Sequence, residues 1–211
     1  MGERRPSRHM LDRVAREQDL PRLTGSVVLV PVKSFAQAKE RLAPSLDPRR
    51  RAELAKVMAD QVLEAADPLP VAVVCDDEEV AKWAASRCAI VLSEPRRGLN
   101  GAVEAGVKAL GEAGADEIIV AHSDLPFARG LARLCGFSGV TLVPDRRRDG
   151  TNVICLPGRL AFGFAYGPGS FRRHVVEVRR LCLALRIIRE PDLAWDVDIP
   201  SDIPAVLGHF T

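Results

Sequence analysis

The sequence predicts an α/β fold: a single domain built on a mostly parallel, mixed sheet with helices on both faces. Three observations carry this expectation. Short apolar runs rich in β-branched residues recur at Val27–Val32, Val71–Cys75, Ala89–Leu92, Glu117–Ala121, Val140–Val143 and Asn152–Leu156, each of a length that suits a strand buried on both sides. Segments of helical periodicity alternate with them over the first 145 residues, the pattern that lays successive strands side by side in a parallel sheet. No repeat, low-complexity stretch or linker divides the 211 residues, of which 47% are hydrophobic and 27% charged, so one sizeable core is expected.

Residues 1–25 read as a loosely attached extension, because Arg4, Arg5, Pro6 and Arg8 lead into a stretch without a strong apolar face that ends at Pro21–Gly25. The domain proper spans 26–211 and opens with the first strand. The clearest helix starts with Asp47 as N-cap and Pro48 at the first helical position, aligns Leu54, Val57, Met58, Gln61, Val62 and Ala65 on one face, and ends near Ala66. Further helices are expected over Asp77–Ser86, Asn100–Ala113, Phe127–Leu134 and Ser170–Leu181.

Lys and Arg total 30 against 28 Asp and Glu. Residues 1–25 hold six Arg and four acids, so residues 26–211 balance at 24 against 24. A neutral body speaks against nucleic acid as a partner, since that binding rests on many phosphate contacts, but it leaves room for small anions at local clusters. Five cysteines, widely spaced and never in a C-x-x-C pair, indicate neither a disulfide framework nor a zinc site and read as buried thiols in a reducing compartment. With no apolar run near the ~18 residues of a membrane span and no signal-like N-terminus, the expectation is a cytoplasmic protein without a membrane partner.

Ligands of parallel sheets bind beyond the carboxyl ends of the strands, so the loops there are where chemistry is sought. After the first strand, Lys33, Lys39 and Arg41 form either a clamp for a triphosphate or a solvated basic turn; the Gly-rich Walker spacing is absent. After the third, Gly98, Leu99, Asn100 and Gly101 allow close backbone approach, with Asn100 as an N-cap or as a reader of a base or ribose edge. After the fourth come His122, Ser123, Asp124, Leu125 and Pro126. A carboxylate at the end of a buried strand is costly unless it meets a cation, which marks Asp124 as a magnesium ligand, whereas His122 reads as a structural hydrogen-bonding residue. Near the C-terminus, Asp196 and Asp198 alternate in an extended segment and so share a side, completing a metal site with Asp124 or capping the helix that follows; Asp202 suits that helix's first turn. Arg146–Arg148 read as a solvated face. The Gly167–Pro168–Gly169–Ser170 turn, opening a helix, is suited to hold an oxyanion.

Taken in order, the Val-Pro-Val-Lys strand end with Lys39, Arg41 and Leu42, the Arg-Gly-Leu-Asn loop, Ser123–Pro126, the Gly-Pro-Gly-Ser turn and Asp196–Pro200 resemble the 2-phospho-L-lactate or phosphoenolpyruvate guanylyltransferases of coenzyme F420 biosynthesis, within the Rossmann-like nucleotide-diphospho-sugar transferase fold. The resemblance runs from about Ser26 to Leu207. It implies transfer of GMP from GTP to a three-carbon phospho-acid with release of pyrophosphate. Lys33, Lys39 and Arg41 would hold the triphosphate, Gly98, Leu99 and Asn100 the nucleoside, Asp124, Asp196 and Asp198 magnesium, and Thr151, Gly167 and Ser170 the phospho-acid. Asn152 departs from the small or hydroxyl residue familiar there. The expected protein is a monomer or homodimer whose product passes to a downstream transferase of the F420 pathway. A molybdenum-cofactor-type guanylyltransferase, a sugar-phosphate nucleotidyltransferase and a non-catalytic nucleotide-binding module are the competing readings; all three aspartates together favour an enzyme. Arg outnumbers Lys 25 to five, a composition that leans towards a bacterial, phosphoenolpyruvate-using member.

Overall fold

The computed structural model describes residues 20–93 and 98–203. Its strands are β1 (Ser26–Pro31), β2 (Val71–Cys75), β3 (Ile90–Ser93), β4 (Glu117–Ala121), β5 (Val140–Pro144), β6 (Thr151–Pro157) and β7 (Leu185–Ile187). They form one sheet in the order β3-β2-β1-β4-β6-β5-β7. β6 alone runs against its neighbours, pairing antiparallel with both β4 and β5. This is the mostly parallel, mixed sheet that the sequence predicts, with β7 added at the edge.

Alternation along each strand explains the two-sided burial. Val28, Val30, Val73 and Ile119 face one layer, where they meet Ala59 and Val62 of helix α1 (Pro48–Ala65) and Val80 and Trp83 of α2 (Glu78–Ser86). Val27, Leu29, Ile118 and Val120 face the other, against Val103, Val107 and Leu110 of α3 (Gly98–Glu112) and Val178 of α4 (Ser170–Arg180). Asp47 and Asp77 cap α1 and α2 by accepting the backbone N–H groups of Arg50 and Val80. A short α5 (Pro191–Ala194) follows β7.

Four expectations need correction. The buried stripe of α1 is Ala55, Met58, Ala59, Val62 and Ala65, while Val57 is exposed; the stripe is rotated toward the alanines. Residues 127–134 do not form an α-helix: only a 3-10 turn over Leu131–Leu134 appears, entered through Gly130 in the left-handed region. α3 starts at Gly98, so Asn100 lies inside its first turn rather than capping it. Of the cysteines, only Cys75 and Cys155 are buried, whereas Cys88 and Cys182 are exposed. The third loop falls partly outside the described residues, at 94–97, as do the first 19 residues and 204–211. Residues 20–25, read from sequence as part of the extension, are tied to the body: Leu23 is buried and donates its N–H to Ala113 O at 2.8 Å, and Gly25 N–H reaches Asp116 Oδ2 at 2.9 Å.

Candidate active site

The strand order brings the chemistry to one end of the sheet. β1 and β4 are adjacent and parallel, so the loops after Pro31 and Ala121 emerge together. Because β6 is antiparallel to β4, its first residues lie beside the end of β4, and His122 N–H donates to Asn152 O at 3.0 Å.

The loop after β1 makes two 3-10 turns, Phe35–Gln37 and Glu40–Leu42, with Lys39 between them at φ +56°. Buried side chains anchor both turns. Phe35 meets Trp83 edge-on at 5.2 Å, and Leu42 joins Met58, Val197 and Ile203 in a small third core. Lys39 is thereby held inward, its Nζ donating to Asp124 Oδ2 at 2.5 Å and standing 3.5 Å from Asp198 Oδ1. Burial by itself would lower the pKa of Lys39, but Asp124, Asp198 and Asp196 outweigh it and hold the ammonium above its ordinary value. Asp124, pushed up by burial and pulled down more strongly by Lys39 and His122, stays below the usual carboxylate value. Burial, aided by Lys39, keeps the His122 ring below its ordinary pKa and so favours its neutral form. A cavity of about 400 Å³ opens here, lined among others by Lys33, Lys39, Arg41, Leu99, His122, Asp124 and Asp198. Lys33 and Arg41 are exposed at its rim.

Val197, between Asp196 and Asp198, is fully buried in the third core, and of the two aspartates Asp198 lines the cavity while Asp196 does not. Asp196 is 7% exposed, and its pKa is pushed up to about 6 by burial and then by repulsion from Asp124 and Asp198. Arg146, read from sequence as solvated, is half-buried and attached to this segment. It donates to Asp196 O at 3.1 Å, pairs with the buried Asp202, and stacks 4.1 Å above the Trp195 ring. Asp202 Oδ2 in turn accepts the N–H groups of Asp198 and Ile199 at 2.9 and 3.0 Å. Arg147 is exposed but also donates to Asp202 Oδ1 at 3.2 Å, so only Arg148 fits the solvated reading.

Thr151, Gly167 and Ser170 do not line that cavity: Thr151 and Ser170 are buried, and Gly167 is exposed in the turn before α4. The turn before α4 places Gly167 and Gly169 at φ +111° and +72°, a conformation that glycine adopts without strain. Arg173 holds the turn by donating to the carbonyls of Ala165, Gly167 and Pro168, and Asp149 accepts the Gly169 N–H at 3.0 Å. Since the Ser170 N–H also donates, to Gly167 O at 3.0 Å, two of the donors expected to hold an oxyanion are already used. Asn100 Oδ1 accepts the Tyr166 N–H at 2.7 Å, and the Tyr166 ring lies 4.8 Å from His122, which joins this turn to the start of α3 and to β4. Thr151 Oγ1 and Nδ1 of the fully buried His174 are 3.0 Å apart, while His174 Nε2 accepts the Ala165 N–H. Asn152 Nδ2 donates to Leu193 O at 3.0 Å, so its departure from a hydroxyl residue serves to tether α5.

Oδ1 of Asp124 and Oδ1 of Asp196 are buried without a hydrogen-bond donor, although Arg146 Nη1 stands 3.6 Å from the latter. Free lone pairs on carboxylates, one of them disfavoured as an anion, form a hard oxygen donor set suited to magnesium. Among the described residues no three His, Cys, Asp or Glu side chains are grouped to enclose a cation by themselves. The three aspartates read from sequence as one metal site are thus not assembled as a set, although magnesium often takes only one or two carboxylates and completes its shell with substrate phosphates and water.

An open α/β sheet with cations and carboxylates assembled beyond β1 and β4 defines the protein as a nucleotidyltransferase by class. Its fold is that of a nucleotidyl transferase from Methanothermobacter thermautotroptrophicus, which it matches with a TM-score of 0.60 at 18% identity over 89% of this chain and 97% of the other. The family described as "Guanylyl transferase CofC like" matches residues 26–210, and the chain belongs to that family. Similar proteins include the phosphoenolpyruvate guanylyltransferase of Sphaerobacter thermophilus, 36% identical over 87% of this chain and 93% of the relative, and that of Rubrobacter xylanophilus, 35% identical over 83% and 90%.

Proposed function

We propose that the protein transfers GMP from GTP to phosphoenolpyruvate, releasing pyrophosphate, as a step toward coenzyme F420. The observation that carries this reading is the Lys39 ammonium set between Asp124 and Asp198 in the cleft, in a chain whose relatives are named phosphoenolpyruvate guanylyltransferases. An oxygen of the acceptor phosphate attacks the α-phosphorus of GTP in line, and the bond from that phosphorus to the β-phosphate bridging oxygen breaks. The acceptor is already an anion at neutral pH, so no nucleophilic side chain is needed. The obstacle is repulsion between two polyanions. Lys33, Lys39 and Arg41 neutralise the triphosphate and receive the charge that moves onto pyrophosphate. Gly98, Leu99 and Asn100 hold the nucleoside, and Thr151, Gly167 and Ser170 hold the acceptor. One or two of Asp124, Asp196 and Asp198 would hold magnesium, which would supply further charge neutralisation at the phosphates. The product, a phospho-acid joined to GMP through a diphosphate anhydride, suits consumption by a downstream transferase of the F420 pathway.

Incubation with GTP and either phosphoenolpyruvate or 2-phospho-L-lactate, read by mass spectrometry of the product, tests the assignment. Guanylated phosphoenolpyruvate and one pyrophosphate per turnover are expected. Equal turnover with ATP, CTP and GTP would reject the donor, and product from 2-phospho-L-lactate alone would reject the acceptor.

A further inference from the structure

We infer that Arg146 is a positioning residue for the transfer reaction: with Asp202 it forms a strut that fixes Asp196 and Asp198 beside Lys39 and Asp124. This rests on the reading of those carboxylates given above. The segment from Trp195 to Ile199 is extended and carries no strand pairing of its own, so something else must set its position. Val197 supplies a buried anchor and an N–H 3.4 Å from Asp124 O, and Trp195 packs edge-on against Phe127 at 6.1 Å. Arg146 adds the polar hold. Its backbone N–H donates to Ala194 O at 2.8 Å, Nη1 donates to Asp196 O at 3.1 Å, Nη2 reaches Asp202, and the guanidinium plane covers Trp195. Asp202, 1% exposed, relays this hold to the Asp198 and Ile199 N–H groups with its other oxygen.

One planar cation thus grips the segment on both sides of Asp196 and, through Asp202, at Asp198. Lysine, a point charge, would compensate Asp202 but could not also reach the Asp196 carbonyl and lie flat on the indole. That difference separates positioning from plain charge compensation. It also makes Arg146 the member of the arginine run whose role sequence spacing does not reveal.

The test compares Arg146→Lys, Arg146→Gln and Asp202→Asn with the wild-type protein. Melting temperature is measured alone, with GTP, and with GTP plus Mg²⁺, and kcat and both KM values follow from pyrophosphate release. Arg146→Lys should melt close to wild type, bind GTP with an unchanged KM, lose the extra stabilisation that Mg²⁺ adds to GTP, and lose about 10–100-fold in kcat, the usual effect of removing a residue that orients ligating groups. Asp202→Asn, which retains an oxygen for the Asp198 and Ile199 N–H groups but loses the ion pair, should behave likewise. If Arg146→Lys restores both the stability lost in Arg146→Gln and full kcat, Arg146 only balances the charge of Asp202 and the inference is overturned; if Arg146→Gln does not fold, wild-type kcat in Arg146→Lys overturns it equally. A wild-type protein with no Mg²⁺ contribution would instead overturn the metal assignment, leaving the strut to be judged by the loss of kcat at constant KM for GTP.

Discussion

At Asp124 two opposing demands meet, because burial penalises its charge while Lys39 at 2.5 Å, together with His122, repays that penalty. Asp124→Asn keeps the shape and removes the charge. It should leave a folded protein whose kcat falls by about 10²–10³, the scale seen when a key electrostatic stabiliser is lost, with pyrophosphate release as the measurement. Near-normal turnover in the folded variant would remove Asp124 from the machinery. The charged residues of the cleft were legible in sequence because Lys39, Asp124, Asp196 and Asp198 are charges where strand ends and alternation demand an explanation. Arg146 was not, since three successive arginines look alike and only tertiary packing turns one of them inward. His174 escaped too: a lone histidine among arginines on a helix reads as solvated, yet it is fully buried.

At the scale of elements, α4 is fixed to the sheet by His174, whose neutral ring satisfies both nitrogens, Nδ1–H toward Thr151 Oγ1 and Nε2 as acceptor from Ala165 N–H. Burial first, then Arg173, lowers its pKa to about 4. The unfolded chain protonates at the ordinary value near 6.5, so the stabilisation is complete above that pH and is lost as pH falls toward 4. The loss should amount to about 3 kcal/mol. Urea titrations from pH 7 to 4 should show it, and His174→Gln should flatten that part of the pH dependence; an equally steep profile would place the acid sensitivity elsewhere. The N-terminus of α4 carries the acceptor prediction. Losing one hydrogen bond to a charged group costs about 1.5–3 kcal/mol, so Ser170→Ala should raise the KM for phosphoenolpyruvate roughly 10-fold while the KM for GTP stays constant. A raised GTP KM with the acceptor KM unchanged would move this turn to the nucleotide side. Six strands and four long helices were readable from periodicity. β7 was not, because Leu185–Arg186–Ile187 is too short to show a period, and residues 127–134 misled because their leucines pack from a non-helical path.

Across the whole molecule, residues 20–25 belong with the body, for Leu23 packs into the core beside α3 and Gly25 is tied to Asp116. Deleting residues 1–24 removes a buried leucine worth about 2 kcal/mol and should lower the melting temperature by about 4–8 °C, measured against a deletion of residues 1–19. Both truncated proteins should turn over within a few-fold of the full chain, since no proposed site residue is removed; loss of activity in either would place the N-terminal residues in catalysis. The sheet also ends in a way that bears on how the chain behaves in a crowded solution. Its outer strands are the four-residue β3 and the three-residue β7, and β7 sets Arg186 at its centre, donating to Thr141 Oγ1 at 2.9 Å with its guanidinium 4.9 Å from the Phe137 ring. Strands this brief, one carrying a charge in its middle, offer a poor template for stray backbones, so the edges of the sheet formed by the described residues resist edge-to-edge aggregation.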